Sequence, residues 1–165
     1  MTTASITQHT LSADLQQLFN GQIAAGKESM AIQVTAIAEN GWPHTTLLSL
    51  GEILAPAGDT LMFCVWLQSS LVSSIWCISN ISLSFVWHGC YTEIQANARL
   101  VKQLHHLPVP LAIFKAQVQR IRSVSAGYAT LTHGISFHLQ QPEQDLPRWQ
   151  SQLHLLQEYA GAAAQ

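Results

Sequence analysis

Eight histidines stand against nine carboxylates in this 165-residue chain, a ratio that first invites a metal site. Zinc ligands recur at short, characteristic spacings because a few side chains must converge on one ion. Here the close groupings are His88-Gly89-Cys90 and His105-His106, and neither has such a spacing. No metal is expected, and His105-His106, just ahead of Pro108, reads as loop. Nucleophilic catalysis fares no better, since no serine falls in G-x-S-x-G or S-x-x-K. Cys64 and Cys77 lie in apolar runs, where a thiol packs as a small hydrophobe. No glycine-rich phosphate loop occurs, and no residue stands out as a general acid or base.

The tryptophans are more informative. Of five, Trp42, Trp66 and Trp87 each close a predicted strand or hairpin. Such residues either pack a barrel rim or wall a pocket for a flat aromatic ligand, since they combine a large apolar face with a polar edge. Composition narrows the field further. Hydrophobic residues make up 48% and charged residues 10%, against about 25% charged in a typical domain. So few charges leave apolar surface for a subunit interface. Three lysines, four arginines and a net charge of −2 provide no basic stripe for nucleic acid. Gln68, Ser69, Ser70, Ser73, Ser74, Ser79 and Asn80 interrupt the apolar stretch 60–87, so no membrane span is expected. The polar start "MTTASITQHT" and three unpaired-looking cysteines fit a cytoplasmic protein with reduced thiols and no signal peptide.

These residues need a scaffold. Leu11, Leu15, Leu18, Phe19 and Ile23 follow helical spacing and predict a helix over 12–25, capped by Ser12 and stopped at Gly26. Ile32, Val34, Ala36 and Ala38 alternate with polar residues as in a half-buried strand. Asn40-Gly41 suits a type I′ turn, after which residues 43–55 return as a second long strand. "TLMFCVW", 60–66, is a third strand and 69–77 a short helix. Strands follow at 79–89, at 91–104 with Thr92, Ile94, Ala96, Ala98 and Leu100 on one face, at 110–124 and at 134–139. A closing helix over 147–159 carries the stripe Leu146, Trp149, Leu153 and Leu156. The order predicts one mainly β domain over 1–165: an antiparallel, partly closed barrel of six to seven strands with N- and C-terminal helices.

The same segments, in the same order, resemble the pyridoxamine 5′-phosphate oxidase-like, FMN-binding split-barrel proteins. "HTTLLS", 44–49, takes the place of a family strand patterned R-x-V-L-L-K. "FCVWLQSSLVSSI", 63–75, takes that of F-Y-T-N-Y-x-S-R-K-x-x-x-L, matching at Phe63, Ser69 and the apolar Ile75. "FVWH", 85–88, is similar to an F-P-W-H stretch, and "YATLTHGISFHL" to the closing segment of small bacterial members. The resemblance implies a homodimer with two FMN sites at its interface and, if active, a small oxidoreductase or flavin reductase. It implies that Thr45, Thr46 and Leu47 run along the flavin ring, that Cys64, Val65 and Trp66 flank it, and that His44, Ser69 and Ser70 lie near the phosphate. His88 and Glu93 are weaker candidates for a polar contact.

The departures concern charge. The family's phosphate-binding Arg and Lys fall at Ser70 and Leu71, its first-motif Arg at His44 and its Lys at Ser49. Hydroxyls of Thr45, Thr46, Ser69 and Ser70 can donate in their stead, and Arg120 or Arg122 could reach in. The leading expectation is still an FMN-binding flavoprotein, its hold on FMN weakened by the lost cations or, at the limit, absent. A pyridoxamine phosphate oxidase proper fits poorly, because its substrate carries a further phosphate. The alternative is a non-enzymatic split-barrel dimer that has lost flavin or holds another flat ligand such as haem, with His88 or His133 as axial ligand.

Overall fold

Ile32, Val34 and Ala36 are buried while Gln33, Thr35 and Ile37 are only half-buried, so the alternation in this segment does fold as a strand. The computed structural model describes residues 3–162. In chain order these form β1 (Thr3–Gln8), α1 (Ala13–Leu18), β2 (Ala31–Ile37), β3 (Pro43–Ser49), a 3₁₀ turn (Leu50–Glu52), β4 (Ile53–Ala57) and β5 (Thr60–Trp66). Then come α2 (Ser70–Cys77), β6 (Asn80–Trp87), β7 (Cys90–Leu104), β8 (Leu111–Ala126) and α3 (Pro142–Ala162). The strands make one antiparallel sheet in the order β3-β2-β6-β7-β8-β5-β4, with β1 also on β8. β5 pairs with Leu111–Gln117 of β8 and β1 with Ile121–Ala126, so two strands share its length.

The sheet curls around a core from its inner face. Val34, Leu48, Phe63, Val65, Leu83, Ile94, Phe114 and Ile121 meet there with Leu15 and Phe19 of the α1 region and Leu71, Val72 and Ile75 of α2. A second cluster lies on the outer face, where Leu54, Met62, Cys64, Leu104, Leu111 and Ile113 are covered by Leu156 of α3. Along β5 the side chains of Phe63 and Val65 therefore go inward, and those of Met62 and Cys64 outward.

Several expectations are corrected. The first helix ends at Leu18, because Gly21 takes a left-handed φ of 85° and Asn20 Oδ1 accepts from Gln22 N–H. Residues 43–55 are not one strand, since the 3₁₀ turn breaks them into β3 and β4. Segment 134–139 supplies only a bridge between Ser136 and Met30, not a seventh strand. The closing helix starts five residues early, at Pro142, and carries Pro147 inside it. The hairpin at Asn40-Gly41 has positive φ only at Gly41, whose N–H bonds Ala38 C=O. That pattern is a type I turn followed by a glycine bulge. Positive φ at both central residues, as a type I′ turn needs, occurs instead at His88 (48°) and Gly89 (74°) between β6 and β7. Among the described residues no helix is long and apolar enough to cross a membrane.

Candidate functional site

The curled sheet does not close. β3 ends the strand order on one side, and on the other β4 pairs with β5 only as far as Phe63. Val65 and Trp66 therefore have no neighbour beyond β8, and they face the equally unpaired edge of β3 across a gap. The gap is a cleft of about 230 Å³ lined by Thr46, Leu47, Leu48, Glu52, Val65, Trp66 and Ser69. Unpaired strand edges carry free N–H and C=O groups, the backbone donors and acceptors a planar heterocycle requires. Half-exposed Leu47 (49%) and Trp66 (57%) give it apolar walls.

The helix after β5 shapes the far end. Ser69 caps α2, its hydroxyl accepting from Leu71 N–H at 3.2 Å. One residue on, Ser70 Oγ and His44 Nε2 share a 2.5 Å hydrogen bond that ties α2 to β3. Both line a second, more open hollow of about 440 Å³ with Ala38, Glu39, Asn40, Ser73 and Ser74.

Of the residues expected at the site, Thr46, Leu47, Val65, Trp66 and Ser69 line the cleft, and His44 and Ser70 the adjoining hollow. Four others turn elsewhere. Thr45 Oγ1 is bonded to Thr35 Oγ1 at 2.8 Å, and buried Ser49 donates its hydroxyl to Glu52. Cys64 points into the outer cluster, where burial pushes its thiol far above the ordinary cysteine range. Leu71 is 0% exposed within the barrel core, so this helical position offers no side chain to a ligand.

The remaining candidates stand apart. His88 lies at the β6–β7 turn, 4.0 Å from Asp14, in a different hollow with Lys27 and Trp87. His133 is exposed, and neither histidine lines the cleft. Glu93 is paired with Arg122 at 3.6 Å. Val65 pairs with Ala112, and Arg120 lies eight residues farther along β8. That is about 26 Å of strand at ~3.3 Å per residue, and neither Arg120 nor Arg122 lines the cleft or the adjoining hollow.

Glu52 was not anticipated. It projects from the 3₁₀ turn at the floor of the cleft, with Ser49 N–H (2.7 Å) and Ser49 O–H (2.9 Å) both donating to Oε2. Burial raises its carboxyl above the ordinary range; the Ser49 bonds and the charge of Arg148 pull it back only in part. The pattern Ser49-x-x-Glu52 is a capping box and was legible in the sequence. Reading 43–55 as one strand concealed it.

The arrangement matches known structures. A Lactobacillus delbrueckii protein named for pyridoxamine 5′-phosphate oxidase superposes with a TM-score of 0.54 at 10% identity, covering 69% of this chain and 94% of that one. The chain folds as a pyridoxamine 5′-phosphate oxidase-like split barrel. HupZ of Group A Streptococcus superposes on the split barrel with a TM-score of 0.53 at 13% identity, over 78% of this chain and 99% of that one. In sequence, the uncharacterised protein YclD of Bacillus subtilis (strain 168) is 24% identical over 148 residues, 90% of this chain and 96% of YclD. No protein-family model matches the chain.

A flavin tests the site in two halves. The ring half fits: apolar Leu47, Val65 and Trp66 lie beside polar Thr46, Ser69 and Glu52. The phosphate half does not, because neither hollow is lined by Lys or Arg, and Glu39 lines the same hollow as Ser70.

Proposed function

We propose that this split barrel is a flavin-binding protein whose cleft between β3 and β5 receives the isoalloxazine ring. The observation that carries the reading is the pair of unpaired strand edges walled by Leu47, Val65 and Trp66, in a fold shared with a protein named for a pyridoxamine phosphate oxidase. Leu47 and Trp66, the residues whose backbone groups alternate to the unpaired edges, offer them to the ring edge, their side chains cover its faces, and Thr46, Ser69 and Glu52 supply polar contacts. When bound, a flavin supplies the hydride chemistry, so that the protein contributes orientation and electrostatics and any activity is that of a small oxidoreductase or flavin reductase. FMN is the cofactor that the family resemblance implies.

Exposed Trp42 and Trp76, on the β2–β3 turn and α2, join Leu47 and Trp66 as large apolar groups on the elements framing the cleft. Covering them with a second copy would roof the cleft and bury apolar surface that water otherwise meets. The working form in this reading is a homodimer.

The test is an absorbance spectrum of the purified protein, a flavin titration and a mass measurement in solution. Flavin bands and saturable binding are expected, with affinity falling about tenfold in Trp66→Ala, the scale of losing one buried aromatic contact. Undiminished affinity in that variant removes the cleft as the site. A second reading, a barrel without flavin, is favoured by the missing cations; a dimer that ignores every flavin would establish it.

A further inference from the structure

Charge around the two hollows points to a ligand preference, which rests on the flavin reading above. We propose that the site selects a flat ring compound without a phosphate, riboflavin being its simplest probe, over the phosphorylated FMN. None of the seven Lys and Arg side chains lines either hollow: Lys27 lies over Trp87, Arg99, Lys102, Lys115, Arg120 and Arg122 are on β7 and β8, and Arg148 of α3, whose charge is felt by Glu52, is paired with Asp145. The hollow beside α2 instead presents Glu39, along with His44 and three serines.

The three serines of that hollow already have partners. Ser70 Oγ is bonded to His44, and Ser73 and Ser74 both donate to Ser70 C=O, while Ser69, at the cleft, accepts from Leu71 N–H and keeps its own O–H to donate. A phosphate of nearly two negative charges would meet the Glu39 carboxylate in a hollow to which its own chain contributes no Lys or Arg. It would also have to displace the Ser70–His44 bond that joins α2 to β3. Evolution of a clamp by a neighbouring position is closed, since Leu71 faces the core. At the ring end the balance is reversed. Glu52 has both Ser49 bonds on Oε2, which leaves Oε1 for a polar group of a neutral ring.

The experiment is fluorescence titration of the dialysed full-length protein with riboflavin and, separately, FMN, at low and high salt. Riboflavin is expected to bind about two- to fivefold more tightly, the scale of one exposed like-charge contact, with the ratio shrinking as salt screens it. Glu39→Gln narrows the ratio through FMN alone. Ser70→Arg inverts it, adding a charge-assisted contact that favours FMN by about tenfold. FMN binding tenfold more tightly than riboflavin in the unaltered protein would overturn the preference and leave the flavin reading standing. If neither flavin binds, the reading itself fails and the preference with it.

Discussion

Gly51 offers the sharpest mechanical test of how the cleft is built. It is the middle residue of the 3₁₀ turn, and Trp149 of α3 packs directly on it. A Cβ at Gly51 would lie 2.1 Å from Trp149 Cγ, 2.2 Å from its Cβ and 2.6 Å from Cδ2. Ordinary carbon contacts are about 3.5–4.0 Å, so in Gly51→Ala the ring must retreat by at least about 1.4 Å. It has little room to do so. Trp149 is 3% exposed and edge-packed on Phe137 at 6.0 Å, and its helix is anchored by buried Leu153 and Leu156.

Two outcomes bracket the cost. Backbone yielding to an overpacked contact costs about 1–3 kcal/mol. Losing the tryptophan from its site costs about 3–5 kcal/mol, as for truncation. The expected destabilisation is thus about 3 kcal/mol, a large share of the roughly 5–15 kcal/mol that holds a domain together. Thermal unfolding followed by circular dichroism should register it as a fall of about 6–12 °C. Gly161→Ala is the control, since nothing lies within 4 Å of a Cβ there and helix propensity favours alanine by up to about 1 kcal/mol. Because the 3₁₀ turn carries Glu52, flavin affinity should fall along with stability. A Gly51→Ala protein within about 1 kcal/mol of the parent would refute the packing of α3 on the cleft floor.

Other perturbations probe the neighbouring groups. Leu71→Lys buries an ammonium at a position with 0% exposure and should abolish folding by combining the loss of a core leucine, about 2–5 kcal/mol, with charge desolvation. Exposed Ser70→Lys forfeits the bond to His44, about 0.5–1.5 kcal/mol, and should still fold; equal folded yields of the two would show that residue 71 faces outward after all. Glu52 holds its proton more tightly folded than unfolded. Its contribution is therefore fully present below the ordinary Glu pKa and is lost as pH rises through the folded value. Denaturation of Glu52→Gln at a series of pH values should accordingly show the variant gaining on the parent as pH increases, and a pH-independent difference would contradict this. Thiol labelling should modify exposed Cys77 first, half-buried Cys90 more slowly and Cys64 only on unfolding; early loss of a third thiol would mean that β5 opens.

The strands were legible where one face is buried and the other wet. β2 and β7 alternate cleanly, and Thr92, Ile94, Ala96 and Ala98 are all buried as their spacing requires. β1 was not legible. Its sequence "TASITQ" contains a single large apolar residue, Ile6, and that residue is exposed. Backbone pairing with the free length of β8 holds it there, and side-chain periodicity does not report backbone pairing. Loop chemistry misled in a related way. Asn40-Gly41 and His88-Gly89 both end in a left-handed glycine, yet only the second puts its first residue there too.

At the site, the segments were found and the facing of single residues was not. Successive side chains on a strand point to opposite faces, and on a helix they turn by about 100°. Naming 64–66 and 69–71 as blocks therefore mixed cleft residues with Cys64 and Leu71, which belong to two different hydrophobic clusters. This matters most for charge. Read as a string, Ser70-Leu71 looks like a clamp with both cations removed and a pocket waiting for their return. Folded, only position 70 meets the hollow, because Leu71 helps to close the barrel beneath it. The 10% of charged residues has a matching consequence. No Lys or Arg lines the cleft, and the elements framing it display Trp42, Leu47, Trp66 and Trp76. One scarcity leaves the cleft with apolar walls and without a Lys or Arg in its lining.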